Sequence, residues 1–355
     1  MLRALELAAK HAGHTSPNPM VGCVIVRDGK ILAEGAHRGP GHPHGELDAL
    51  AKLGGKAPGA TIYVNLEPCT HQRPGKVPCA QAVKASGATA VVIGSEDPYP
   101  GHGGGIAALR RAKISVHRAL VEECDRFNRG FLVWSSQQRP AYTLKAAITL
   151  DGKIATVKGQ SKWITGEAAR EDVHRMRNAH DAILVGVGTV LADDPRLDCR
   201  ISGGRDPIRI VLDGKLRTPP TARLLPGKSG PRTIIATGLR ADKAKQAALE
   251  KRGAEVWRVK LRKNGEVPLW ELGKDLGLAQ ILSVLVEGGG EVHASFLAQK
   301  LADDVVLYIA PQVVGGPAAS WVGGAGVGTM AAAHRLRPLG PPAFLGDDLR
   351  LRFTQ

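Results

Sequence analysis

The sequence predicts an α/β protein built from two consecutive domains. Segments with helical and with strand-like hydrophobic periodicity alternate along the chain, which is typical of layered α/β folds. The length of 355 residues is about twice that of a common domain. Small and polar residues from Ser135 to Pro140 interrupt the alternation. We therefore expect one domain over residues 1–140 and another over residues 141–355.

Local signals define the elements of the first domain. Asp28-Gly29 lies between two apolar runs and predicts a hairpin. Gly54 and Gly55 end a short helix that begins at His44. The other predicted elements are a helix over Met1–His11, strands over Thr61–Leu66, Val91–Ile93 and Ile114–His117, a helix from Cys79 to Ser86, and a helix between the last two strands. The run Gly101–Gly105 could hold a phosphate, but we interpret it as a flexible loop.

The second domain continues the alternation. Strands are predicted over Tyr142–Ile148, Ala182–Val187, Ile208–Leu212, Thr233–Ala236, Val256–Val259, Ile281–Val286 and Val305–Ala310, and helices over Thr165–Arg177 and Glu291–Lys300. Thr165 is the predicted N-cap of its helix. The run from Gly186 nearly matches a dinucleotide fingerprint, but Leu191 stands where its last small residue should be, so a Rossmann-type fold is not expected. The glycines of Glu287–Gly290 either point N–H groups at a phosphate or permit tight packing.

One imidazole and two thiols in the first domain have spacings that suit a zinc ion. His44 precedes a short helix, Cys69 follows a buried strand, and Cys79 begins a second helix. Three protein ligands leave the fourth position of a tetrahedral zinc ion open for water, as in catalytic sites. Glu46, two residues after His44, is placed to move protons at that water. The pattern resembles the signature of zinc deaminases, although their two cysteines are closer together.

A structural zinc site is the alternative for the same residues. Structural sites are usually four-coordinate, and His71 could supply the fourth ligand. Glu46 argues against this interpretation, because a structural site needs no proton shuttle.

Composition narrows the class of protein. The net charge of +15 is spread over both parts, with 17 Lys and Arg against 11 Asp and Glu in residues 1–140 and 31 against 22 in the rest. Without a long basic run or an aromatic-rich platform, this charge does not indicate nucleic acid; it suits phosphorylated small molecules or is simply a solvated basic surface. Neither a signal peptide nor a membrane span is predicted. Five sparse cysteines indicate a reducing cytoplasm without disulfides.

The first part resembles the deaminase half of the bifunctional riboflavin-biosynthesis deaminase/reductase family. The similarity rests on SPNPMVGCVIVRDGKILAEGAHRGPGHPHGE and on EPCTHQRPGKVPC. It implies a cytidine-deaminase-like, three-layer αβα domain in which Asn18 touches the pyrimidine, whereas the residue pattern alone favours a turn asparagine. Two departures stand out: Gly45 replaces the usual alanine, which would loosen the helix start, and the loop between the cysteines is one residue longer.

The second part resembles the reductase half of the same family, whose fold is like dihydrofolate reductase. The matching pieces are LDGKIA, SKWIT, LADDPRLDCR and LVEGGGEVH. The resemblance implies that NADPH lies against Ala147, Trp163, Thr189, Asp193 and Gly289. It also implies that the substrate meets Ser161, Arg177, Leu197, Arg200 and Glu287, and that the reductase half forms a homodimer. The alternatives are a core role for Trp163 and surface charges for the two arginines.

These expectations combine into one enzyme with two consecutive activities. Zinc-dependent hydrolytic deamination of a diaminopyrimidinone ribosylamine phosphate comes first, with Glu46 as the proton shuttle. NADPH-dependent reduction of the ribosyl chain to ribityl follows in the second domain. A nucleic-acid deaminase and a non-enzymatic zinc-stabilised binding module are the competing classes.

Overall fold

The computed structural model describes residues 1–72, 75, 77–225, 227 and 230–355. Within this part of the chain, two compact units follow one another, Met1–Arg139 and Pro140–Gln355. No helix among the described residues is both long and apolar enough to span a membrane. All five cysteines are free thiols.

The first unit is built on a five-stranded mixed sheet. Its strands are β1 (Gly22–Arg27), β2 (Lys30–Ala36), β3 (Thr61–Leu66), β4 (Ala90–Ser95) and β5 (Ser115–Arg118), in the order β2-β1-β3-β4-β5. Its helices are α1 (Leu2–Ala9), α2 (Gly45–Ala51), α3 (Cys79–Ser86), α4 (Gly105–Arg111), α5 (Val121–Phe127) and α6 (Arg129–Gln137). The first hairpin is antiparallel, whereas β3, β4 and β5 run parallel. Parallel strands need crossover helices, and α3 and α4 supply them.

The second unit contains a larger sheet of ten strands. Its strands are β6 (Ala141–Thr149), β7 (Ala182–Gly186), β8 (Ile208–Leu212), β9 (Thr233–Gly238), β10 (Ala254–Val259), β11 (Ser283–Val286), β12 (Asp304–Ala310), β13 (Arg337–Pro338), β14 (Ala343–Leu345) and β15 (Asp348–Thr354). Its helices are α7 (Glu167–Ala179), α8 (Val187–Asp193), α9 (Lys243–Lys251), α10 (Leu269–Leu278) and α11 (Gly290–Ala298). The strand order is β10-β9-β8-β7-β11-β6-β12-β15-β13, with β14 on β15.

The strand order of the second unit creates a crevice. Strand β11 is inserted between β7 and β6, and all three run parallel. Their carboxyl ends therefore lie side by side, and the chain leaves them in different directions. Ligands of open α/β sheets bind at such switch points. The predicted α/β fold of both units is confirmed.

Several element predictions were wrong. The predicted break in the pattern at Ser135 comes too early, because helix α6 continues to Gln137. Val187, which we predicted as the last residue of a strand, begins helix α8, and this helix was not predicted. Thr165 does not cap α7; the cap residue is Gly166, whose N–H donates to Asp348 Oδ2 at 2.7 Å. Helices α5, α6, α9 and α10 and strands β13, β14 and β15 were also not predicted.

Candidate active sites

The three predicted metal-binding side chains converge in the first unit. The Cys69 and Cys79 Sγ atoms lie 3.6 and 3.3 Å from His44 Nδ1. All three donor atoms are within 4.8 Å of one another, and both cysteines are buried. His44 caps α2, Cys69 follows β3 through Glu67-Pro68, and Cys79 is the first residue of α3. One nitrogen and two sulfurs are a donor set that suits zinc.

The electrostatics of this cluster favour a cation. A hydrogen bond with the Cys79 thiol, assisted by His44, lowers the pKa of Cys69 to about 3. The same bond and burial raise the pKa of Cys79. Burial raises the pKa of Glu46 to about 7, which suits a group that gives and takes protons near neutral pH. Glu46 Oε2 is buried and has no hydrogen-bond partner among the described residues, so it can bond to a ligand.

The glycine that departs from the family pattern is closely packed. Gly45 is buried, and a Cβ at this position would lie 2.9 Å from the Val21 carbonyl oxygen. The start of α2 is therefore held against the chain before β1, and the missing methyl group leaves no gap there.

Two histidines border the metal cluster. His37 is buried, and its Nε2 lies 3.1 Å from Asn18 Nδ2 while its Nδ1 lies 2.9 Å from the Pro43 carbonyl oxygen. Asn18 is thereby held within the unit by a side chain that packs edge-on to His44, with ring centroids 5.3 Å apart. His71 is outside the group of converging donors, and its ring centroid is 6.4 Å from that of His44.

Glu67 anchors the glycine-rich run that follows β4. Its buried carboxylate accepts hydrogen bonds from the N–H groups of Asp97, Gly104 and Ile106 at 3.1, 3.1 and 2.7 Å. The N–H groups of Gly104 and Ile106 are therefore bonded within the protein, and they are not available to a phosphate. The interpretation of Gly101–Gly105 as a simple flexible loop was incomplete, because the carboxylate anchors it.

A cavity of about 630 Å³ opens at the crevice of the second unit. Nine of the ten residues that the resemblance assigned to this unit line it: Ala147, Ser161, Trp163, Arg177, Thr189, Asp193, Arg200, Glu287 and Gly289. The tenth, Leu197, is 3% exposed and packs with Ile183 and Val185 in a hydrophobic cluster. Trp163 is 66% exposed, which excludes the core role considered for it.

A buried ion-pair group forms the floor of this cavity. Arg177 Nε and Nη2 bind the two oxygens of Glu287 at 2.7 and 3.0 Å, and Lys145 Nζ lies 2.8 Å from Glu287 Oε2. Burial alone would raise the pKa of Glu287, but the charges of Arg177 and Lys145 outweigh it and lower the pKa well below its ordinary value. Arg177 is thus not the surface charge considered for it.

Lys145 was missed by our sequence analysis. It lies in β6, and its side chain is only 12% exposed. The available signal was a single lysine inside an apolar strand, since buried lysines are rare unless they are paired.

Two other predicted polar residues of the cavity are bonded to neighbouring carboxylates. Arg200 is 57% exposed and donates from Nε to Asp198 Oδ1 at 3.0 Å. Ser161 Oγ donates to Asp193 Oδ1 at 3.3 Å.

The glycine turn fits a phosphate-bearing cofactor. Gly289 is the N-cap of α11, and a Cβ added to it would meet nothing within 4 Å, so its backbone borders open space. A Cβ on Gly290 would lie 2.5 Å from the Ser320 carbonyl oxygen. Close packing therefore explains the glycine at position 290. At Gly289 the N-terminus of α11 can be approached by a phosphate.

Comparison with known proteins matches both units to described families. Residues 1–95 match the cytidine and deoxycytidylate deaminase zinc-binding region, and residues 140–340 match the RibD C-terminal domain. The riboflavin biosynthesis protein RibD of Actinobacillus pleuropneumoniae is 42% identical, over 100% of this chain and 94% of its own. The chain belongs to the RibD family. RibD of Escherichia coli is 38% identical over 90% of this chain and 88% of its own.

Two solved structures have the same architecture over the full length. A Thermotoga maritima diaminohydroxyphosphoribosylaminopyrimidine deaminase/5-amino-6-(5-phosphoribosylamino)uracil reductase has a TM-score of 0.85 and 35% identity, covering 100% of this chain and 97% of its own. RibD of Acinetobacter baumannii has a TM-score of 0.84 and 36% identity, covering 99% and 97%. The chain is a bifunctional enzyme of riboflavin biosynthesis, with a zinc-dependent deaminase domain and an NADPH-dependent reductase domain.

Replacing Glu287 with glutamine should destabilise the second unit. The change leaves Arg177 and Lys145 buried without their anion, so we expect the free energy of unfolding at pH 7 to fall by about 3–5 kcal/mol. Four of the five tryptophans belong to this unit, so denaturant titration can be followed by fluorescence. Glu266→Gln is the control, because its pair with Arg262 is exposed and should contribute less than about 1 kcal/mol.

The free energy of unfolding of the wild type and that of Glu287→Gln should also depend differently on pH. Because the pKa of Glu287 is lowered on folding, its stabilisation is complete above the unfolded value of about 4.5 and is lost as the pH falls below it. The gap between wild type and Glu287→Gln should narrow by about 2 kcal/mol from pH 4.5 to pH 3. A gap that does not change with pH would contradict the ion-pair account.

Proposed function

We propose that the first unit deaminates a diaminopyrimidinone ribosylamine phosphate and that the second unit reduces the ribosyl chain of the product to ribityl. This is the pair of reactions for which the Thermotoga maritima relative is named. The observation that carries the proposal is the convergence of His44, Cys69 and Cys79 beside the buried carboxylate of Glu46. We assign the first reaction to residues 1–140 and the second to residues 141–355.

In the first unit, His44, Cys69 and Cys79 hold the zinc ion. Zinc supplies an activated water molecule when it is bound. Glu46 accepts and returns protons, since its carboxylate is buried, has an unpartnered oxygen and has a pKa near 7. Asn18, oriented by His37, offers its amide to the pyrimidine ring.

In the second unit, one group of predicted residues contacts NADPH and another contacts the substrate. Ala147, Trp163, Thr189, Asp193 and Gly289 lie against NADPH, which supplies the hydride. Ser161, Arg177, Leu197, Arg200 and Glu287 meet the substrate, Leu197 through its backbone, because its side chain is in the core. Arg177 already donates hydrogen bonds from Nε and Nη2 to the Glu287 carboxylate. Arg200 is therefore the arginine that remains accessible to a phosphate.

Further proposals concern the surroundings of the enzyme. Five free cysteines support a reducing, cytoplasmic location. Resemblance to the family supports a homodimer through the reductase domain. The substrate is a phosphorylated small molecule rather than nucleic acid, because the positive charge is distributed over both units instead of forming one stripe.

Loss of one thiolate should empty the metal site. Cys79→Ser replaces a zinc-binding sulfur with a hydroxyl, so we expect most of the zinc to be lost while reduction of pre-deaminated substrate continues. Metal analysis of the purified protein measures the loss, with Cys124→Ser as the control for a buried cysteine outside the cluster. A fully zinc-loaded Cys79→Ser protein would refute the ligand set.

The two activities should be separable by single substitutions. Glu46→Gln keeps the shape of the side chain but removes the proton shuttle, so ammonia release should slow by roughly 10² to 10⁴. Arg200→Ala removes a charged phosphate partner, so it should raise the substrate KM of reduction about 10- to 100-fold.

Each variant is assayed separately for ammonia release and for NADPH oxidation. Glu122→Gln and Arg252→Ala are the surface controls. Loss of both activities in a folded, zinc-loaded Glu46→Gln protein would mean that the reactions share one site, contrary to the proposal.

A further inference from the structure

A row of ring side chains extends from the metal cluster of the first unit to helix α6. The His71 and His102 rings are stacked, with centroids 3.8 Å apart and planes at 12°. Tyr99 packs on His102 at 4.5 Å, and Trp134 stacks on Tyr99 at 5.3 Å and 18°. At the other end, the His71 ring is 6.4 Å from that of the metal-cluster residue His44.

The loop that carries His102 is held by contacts that do not involve the His102 ring. Thr70 Oγ1 donates to the Gly103 carbonyl oxygen at 2.8 Å, and the Thr70 N–H donates to the His102 carbonyl oxygen at 3.0 Å. Glu67 binds three further N–H groups of the same segment. These bonds hold the backbone of the loop through groups other than the His102 imidazole.

The stacked contact restricts how His71 can meet a ligand. His102 covers one face of the His71 ring, so a ligand cannot stack on that face. Tyr99 and Trp134 back His102 in turn and resist its displacement. A ring fixed in this way loses little conformational freedom when a planar substrate binds, which increases affinity.

We propose that His102 is a positioning residue of the deaminase site, which acts by holding the His71 ring in one plane beside His44, where this ring would contact the substrate. The inference rests on the proposed deaminase function and adds a determinant of substrate affinity to it. His71 and His102 supply none of the three converging metal donors, and Glu46 carries the proton shuttle. The effect of His102 therefore falls on substrate binding and not on the chemical step.

The test compares His102→Ala with His102→Phe in the full-length, zinc-loaded enzyme. Alanine removes the stacked face, and phenylalanine restores a flat ring without the ring nitrogens. Since aromatic pairs of this kind contribute modestly, we expect His102→Ala to raise the KM for ammonia release about 3- to 10-fold, with kcat and zinc content within about 2-fold of wild type. His102→Phe should recover a KM within about 2-fold of wild type.

A matched control and a second variant accompany the pair. His117→Ala removes an exposed imidazole from β5 of the same unit and should leave KM unchanged. Tyr99→Leu removes the ring behind His102 and should raise KM about 2- to 5-fold, which tests the row independently if His102→Ala does not fold.

The outcomes separate this inference from the function on which it rests. A wild-type enzyme that releases no ammonia would contradict the deaminase proposal itself. If the wild type is active, a normal KM in folded His102→Ala or Tyr99→Leu overturns the positioning role. Failure of His102→Phe to recover KM also overturns it, because a ring nitrogen and not the stacked face would then be responsible.

Discussion

The burial of carboxylates is the constraint on which both units depend. A buried carboxylate is costly unless it receives hydrogen bonds or positive charge. Glu67 receives three backbone N–H groups and so ties the segment around Gly104 to the end of β3. Glu287 receives Arg177 and Lys145 and so fixes the floor of the reductase cavity. Glu46 keeps one oxygen without a partner, and its pKa rises instead. The incompletely satisfied carboxylate is the one suited to proton transfer.

Local sequence signals predicted the elements that carry the metal cluster. Helix α3 begins at Cys79 and ends before Gly87, which adopts a left-handed conformation with φ of 82°, as expected for a glycine after a helix. Strand β3 has the predicted bounds, because a short run rich in β-branched and aromatic residues that ends before Glu67-Pro68 is a strong strand signal. Short motifs with fixed spacing constrain a site strongly, since each ligand lies at the end of its own element.

Other features could not be predicted because tertiary contacts decide them. Thr165 is a good cap residue, but the Asp348 carboxylate, 182 positions away, binds the Gly166 N–H and shifts the helix start. The polar run at Ser135 forms the end of α6, on which Trp134 and Phe131 pack against Tyr99. Lys145 was missed because its partner, Glu287, lies 142 residues later, directly after strand β11. No local pattern contains such information.

The two sites treat charge differently, and this affects how each can recognise its ligands. The metal cluster brings together one nitrogen and two sulfur donors, which suit a bound cation. In the reductase cavity, the strongest cation, Arg177, is already engaged on two nitrogens by Glu287. A phosphate that took over this guanidinium would leave a buried carboxylate short of charge. Under the proposed function, recognition of the phosphate would therefore fall to the exposed Arg200, while Arg177 and Lys145 keep Glu287 ionised and fixed in position.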